Sequence, residues 1–400
     1  MMSFIKKSDS TFIYVGFILT FISSFGQLFL ISLFHDQIIT FYDISSKQWA
    51  NIYTFSALTA ALAMLLLSRF VERIDFHLLC IYSIIGLMIS CCVIAISDSI
   101  YFLTSFLIGI RFFGYGMMIS LFINLLAHYK VNKKGKLIAF GLLGLSFGEA
   151  LFPILIVQLL DHFDWVTIWL FAAIISGLSV IIINRLLLKI QLHFLLEKKT
   201  NVFSNKNHRS WIKDFLLIIP FIVIPGISST LIFFNMILII KTNNWSLSSF
   251  VSLFTLLSLS TVVTNIGIGK LIDSTPARAL IPWVMVPSII SLSLLSAGQS
   301  FTYAIISMLC IGIMYGLSGC VNSLFIIEHF KTYNISKIKL FSSAIAIIFS
   351  ALTPYTSGLL LQLDISINEQ LSGLASIIVI ICIYSFCLMN YFKKTALGKK

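Results

Sequence analysis

Two ionisable residues stand in apolar surroundings that offer them little company. Arg111 lies in "IGIRFFGYG" and Glu149 in "FGLLGLSFGEALFP". A charge at mid-bilayer costs about 2.5–3.5 kcal/mol on insertion scales, so neither is expected to face lipid alone. Two kinds of chemistry fit the pair. It can be a structural ion pair that fixes helix register. Alternatively Glu149 carries a proton, and Arg111 holds a solute or sets the affinity of the carboxylate for that proton. A nearby arginine keeps a carboxylate ionised, and withdrawing it in a dry site invites a proton. Tyr115 is one turn from Arg111 on the same helix face, and Gln27 falls at a depth from which it can reach the same space. Both are candidates to bind solute. Either can equally be a helix-packing contact, as can Asn235, Asn265 and Asn322.

The elements that must position these residues follow from composition. The chain of 400 residues is 58% hydrophobic and 10% charged. Soluble domains are about half apolar and a quarter charged, so this chain belongs in a bilayer. Long apolar runs mean helices, which satisfy their own backbone in lipid, and the short alternating segments of a β-barrel are missing. The expected fold is an all-α membrane protein of twelve spans: 12–34, 48–68, 78–97, 100–127, 137–160, 165–188, 214–240, 246–268, 279–298, 301–327, 338–362 and 369–392. The first run is too long for a signal-peptide core and reads as a retained span.

Charge orients the bundle. With the N-terminus inside, nearly all of the 27 Lys and Arg fall in inner segments; Lys47 and Lys241 are the outer ones, and Arg111 is the one within a helix. Acids divide evenly between the two faces, with Glu149 left over. The net charge of +12 is therefore a topology signal that needs no nucleic-acid partner. Both termini are expected in the cytoplasm, in the plasma membrane or, in a bacterium, the inner membrane. On this topology Arg111 lies roughly 15 Å below the outer edge at 1.5 Å per residue. Glu149 lies roughly 12 Å from the same edge in a 30 Å core. The two are expected to pair inside the N-terminal half. The basic loop 189–213 divides the chain into six-helix bundles at 1–188 and 214–400.

The halves repeat. "EALFP" at 149–153 faces "SALTP" at 350–354, and "SRFVERIDFH" at 68–77 faces "GKLIDSTPAR" at 269–278. "IGIRF" at 108–112 faces "IGIMY" at 311–315, and "ISS" recurs at 22–24 and 227–229. Each match sits at the same place in the same-numbered helix. The counterparts of Arg111 and Glu149 are Met314 and Ser350, which predicts a charged N-terminal wall and a neutral C-terminal wall. In the loops after spans two and eight, Glu72, Arg73, Asp273 and Arg278 are expected to act as latches. A carboxylate there meets helix N-terminal amides or a basic group of the other bundle, and the contact breaks when the bundles rock.

Over essentially its whole length the chain resembles the major facilitator superfamily. The loop after span two in that family reads G-x-L-a-D-r-x-G-r-k, and here Gly269, Leu271, Asp273 and Arg278 match it. The first-half copy has Ser68 for the first glycine, Glu72 for the aspartate and Asp75 at the second glycine. The span-four arginine followed by glycines is present as Arg111, Gly114 and Gly116, and in the family that arginine is often tied to proton coupling. Gly141, Gly144 and Gly148 with Pro153 are similar to the glycine-proline cluster of exporters, although Glu149 and Phe152 depart from its pattern. "FDWVTIWL" at 163–170 is similar to the Gly-Trp-Arg turn of some organic-anion uptake members, with Asp164 and Val166 in place of its glycine and arginine.

The resemblance implies a secondary transporter working by alternating access, with proton-coupled uptake of a small organic solute, an organic anion among the candidates, slightly favoured. Proton-coupled efflux of drugs or metabolites is the second reading, and a non-transporting membrane sensor of the same fold is the third. There is no phosphate-binding loop and no metal-like spacing among the histidines or cysteines. The expectation is therefore no enzyme, no cofactor and no metal, with a small solute, protons and lipid as partners of a monomer.

Overall fold

The computed structural model describes residues 7–71, 74–128, 134–195, 211–271, 275–298, 300–330 and 335–397. Among them every regular element is helical. Eleven helices, from Ser46–Phe70 to Ile367–Leu388, are long and apolar enough to cross a membrane. The pair Ser10–Gly26 and Leu28–Tyr42, bent by 43°, makes a twelfth when read as one broken span. Span six runs on as helix to Leu195 and span seven begins at Trp211, so helix reaches into the expected linker from both sides.

Local chemistry explains where the spans begin. Ser45 caps span two in a capping box with Gln48: the Gln48 amide donates to Ser45 Oγ at 3.2 Å, and the Ser45 amide donates to Gln48 Oε1 at 2.8 Å. Asp75 caps span three and Ser99 caps span four, which settles the short turn between those two. Asp164 caps span six, accepting from the amide and hydroxyl of Thr167 at 3.1 and 2.6 Å. Those bonds hold its carboxyl below the usual range. Helix capping thus accounts for an aspartate at the place where the similar turn has glycine.

The halves meet along two pairs of long helices. Span two packs on span eleven, with Thr54 Oγ1 donating to the Ala351 carbonyl at 3.0 Å. Span five packs on span eight, with the Ser258 hydroxyl donating to the Ser146 carbonyl. Within the first half, span five lies close on span one. Thr20 Oγ1 donates to the Gly141 carbonyl at 2.6 Å, and a Cβ at Gly144 would run into the Phe17 carbonyl. The small residues of span five therefore do what their spacing predicts.

The break in span one positions everything near it. Gln27 is extended, at φ −82° and ψ 147°, between two helical segments. Opposite it, Ile110–Met117 of span four is wound as a π-helix, a wider turn that recurs at functional sites. The two irregular stretches fit together because both carry glycine: a Cβ on Gly26 would strike the backbone of Tyr115 and Ile110. Arg111, buried in that π-helical stretch, donates from Nη1 to the Gly26 carbonyl at 3.0 Å. In lipid a carbonyl at a helix break has no water to turn to, so the guanidinium serves as its partner.

Two stability predictions follow from this junction. Gly26→Ala should destabilise the purified protein by about 1–3 kcal/mol, as overpacking against an immovable backbone does. Gly267→Ala, where an added Cβ meets nothing within 4 Å, should leave the melting temperature unchanged or raise it. Equal melting curves for the two variants would contradict the close approach. Arg111→Lys should also lower the melting temperature in detergent despite keeping the charge, because an ammonium lacks the planar fork.

Candidate functional site

A cavity of about 220 Å³ lies between the halves. Its walls are helical stripes. Leu142, Leu145, Ser146 and Glu149 come from span five, and Tyr315, Ser318, Gly319, Asn322 and Ser323 from span ten. Lys339, Ser342, Ser343 and Ala346 come from span eleven at spacings of three and four. Gln27 at the break of span one and Tyr115 of span four complete one side. Cross-half contacts stand on both sides of this space. Toward one end, Phe29 packs on Phe254 and Phe254 on Phe233, with ring centroids 6.0 and 5.4 Å apart. Tyr53 there packs on Phe234 at 5.8 Å. Toward the other end, Ser120 and Ser343 share a hydrogen bond of 2.9 Å.

The expected ion pair is not made. Arg111 and Glu149 are each buried, at 2% and 3% exposure, and Arg111 is engaged elsewhere. Besides its bond to Gly26, the Arg111 guanidinium stacks 4.3 Å from the Tyr115 ring centroid, a cation–π contact strengthened by exclusion of water. It also sits 5.7 Å from the Tyr53 ring. Tyr115 lines the cavity and Arg111 does not. Depth alone suggested a pair; the break in span one offered the guanidinium a backbone acceptor that apolar patterning does not reveal. Glu149 faces the cavity, and its Oε2 has no hydrogen-bond partner.

The C-terminal wall is not neutral. Lys339, which charge counting assigns to a loop, is 9% exposed and lines the same cavity as Glu149. Its Nζ donates to Ser323 Oγ at 3.4 Å. Met314 and Ser350 are uncharged as the repeat predicts, but the second half supplies its charge from a different position. The signal was present in the sequence: Lys339, Ser342 and Ser343 form a polar stripe on the face that also carries Ala346. The neighbouring Lys337 made it read as loop. Glu149 and Lys339 are not within ion-pair distance. Counted along their helices at 1.5 Å per residue, their Cα atoms differ in depth by about 15 Å.

Of the other sequence candidates, Gln27 lines the cavity and donates from Nε2 to Ser23 Oγ at 3.3 Å. Asn265 and Asn322 line it too, while Asn235 donates to the Leu231 carbonyl and to Ser357 at 3.0 and 3.1 Å. Glu72, Arg73 and Asp273 lie outside the described residues. Arg278 is half-buried in the short helix Ala277–Leu280. A carboxylate does meet that helix's N-terminal amide, but it is Glu328 of span ten, accepting from the Ala277 N–H at 3.2 Å.

A search of the curated proteins gives no match. Among solved structures, the fold is similar to that of the human organic anion transporter MFSD10 (TETRAN), with a TM-score of 0.68 at 13% identity, over 94% of this chain and 100% of that one. It is also similar to FucP, a Major Facilitator Superfamily transporter in its outward conformation, with a TM-score of 0.64 at 12% identity, over 95% and 99% of the two chains. The family model described as Major Facilitator Superfamily matches residues 16–353. Eleven helices long and apolar enough to cross a membrane, with the broken pair as a twelfth among the described residues, together with that match, show that this chain is a multi-pass membrane transporter belonging to the Major Facilitator Superfamily.

Proposed function

We propose that the chain is a proton-coupled uptake transporter for a small organic anion, with Glu149 as the proton site. The observation that carries this reading is a cavity between the two halves that contains one buried carboxylate, Glu149, and one buried ammonium, Lys339. A carboxylate with a free oxygen and no cation beside it can take up and release a proton as its exposure to water changes. An ammonium held by a single serine hydroxyl, with serine and asparagine side chains around it, can receive an anion. Arg111 acts as a positioning residue that holds Tyr115 and the break of span one against the site.

The path beyond the aromatic layer supports the anion. A second cavity there, about 510 Å³, is lined by Lys47 and Lys241, one from each half, with His35 and Asp36. These lysines are the two basic residues that the topology assigns to the outer loops, and both are exposed at this cavity. Positive charge at a mouth raises the local concentration of an anionic solute. Alternating access requires the aromatic contacts and the Ser120–Ser343 contact to open in turn.

Glu149→Gln should abolish pH-driven accumulation in proteoliposomes while sparing exchange of solute for solute. Equal loss of both activities, or loss of neither, would contradict a proton role. A sensor of the same fold would show solute binding and no flux.

A further inference from the structure

Glu149 and Lys339 come from opposite halves, line one cavity, and find no opposite charge within ion-pair distance among the described residues. The other titratable side chains on the cavity wall are Tyr115 of span four and Tyr315 of span ten; Arg111 sits behind Tyr115. Spans one, seven and eight contribute no charged residue to the wall. Near the cavity end that holds Lys339, neither Lys136, Lys337 nor Glu328 lines it. The charged groups that line the cavity itself are therefore Glu149 and Lys339, and with both ionised they sum to zero, while Arg111 behind the wall keeps its charge throughout.

Resting on the anion reading above, we propose that this balance is the coupling device. The cavity moves through the membrane only when its net charge is zero, so one monovalent anion crosses with one proton and transport is electroneutral. The bookkeeping is explicit. Empty, the cavity holds the Glu149 carboxylate and the Lys339 ammonium. An anion alone leaves one uncompensated negative charge, and a proton alone on Glu149 leaves one uncompensated positive charge. Either gives the closed cavity a net charge, and carrying a net charge through the membrane interior is strongly disfavoured. Anion on Lys339 and proton on Glu149 together restore neutrality. The roughly 15 Å difference in depth along the two helices separates the two sites, so the anion and the carboxyl group need not compete. Neither residue suffices alone, and because each belongs to a different half, both halves must present their charge to the closed cavity.

The test uses the full-length protein in proteoliposomes with radiolabelled lactate, benzoate and nicotinate as monoanions, succinate as a dianion and leucine as a zwitterion. A pH gradient and a potassium–valinomycin potential are imposed separately. The expected result is accumulation of at least one monoanion driven by the pH gradient, with one proton entering per anion. Its steady-state level should not move under a potential of about 100 mV, which would change it about fifty-fold if one net charge crossed. Lys339→Gln should lose both uptake and exchange, and Lys339→Arg, which keeps the charge, should retain exchange. Because Lys339→Gln can fail by misfolding, Glu149→Gln gives an independent reading: its residual net anion uptake should become sensitive to potential and insensitive to pH.

Accumulation of a monoanion by wild type that follows the potential would overturn the charge-balance proposal and leave the anion reading standing. So would normal exchange by Lys339→Gln. Uptake of leucine without proton movement would overturn the proposal in favour of a zwitterion bridging the two residues. Uptake of none of the anions would overturn the anion reading itself, and with it the proposal.

Discussion

The arrangement depends on the bond between the Arg111 guanidinium and the carbonyl of Gly26. Span one breaks at Gln27, and inside a bilayer an interrupted helix must find partners for its backbone within the protein. Arg111 provides one, and Tyr115 shields the charge by stacking against it. That double engagement keeps Arg111 off the cavity wall. Glu149 is left facing the space between the halves with no arginine beside it, and the cation it shares that space with is Lys339 of the second half. A local backbone requirement thus shapes the electrostatics of the whole site.

The same junction explains why two irregular helices meet. The π-helical stretch of span four widens the turn that carries Arg111 and Tyr115, and Gly26 and Gly114 allow the backbones to approach. Gly114 is therefore a packing residue for the break in span one, while Gly116 makes room for Met64 of span two. Span five adds a second close approach through Gly144, which holds Glu149 on the same rigid wall as span one. The second half lacks the arginine, with Met314 in its place accepting a contact from Ser288.

Much of this was legible in the sequence. Apolar runs gave the spans, and the rarity of intramembrane charge singled out Arg111 and Glu149. Gln27 and Tyr115 also reached the cavity wall as their depth and helix face implied. The sequence could not show that Arg111 and Glu149, at matching depth, point to different partners, because depth along a helix says nothing about a backbone acceptor exposed by a break in its neighbour. Lys339 was hidden for a different reason. Charge counting treats a lysine at the end of a span as part of the loop, whereas a long side chain beginning there can run inward along a polar stripe. The serines at 342 and 343 were the available sign.

The central claim is that Arg111 serves the backbone and Tyr115 and is not the counter-ion of Glu149. A pair of double-mutant cycles read by equilibrium unfolding tests it directly. Arg111→Gln combined with Glu149→Gln should be additive to within about 0.5 kcal/mol, as for sites that share no contact, while Arg111→Gln combined with Tyr115→Leu should show a coupling of about 0.5–3 kcal/mol. A strong coupling between Arg111 and Glu149, with none between Arg111 and Tyr115, would contradict the account.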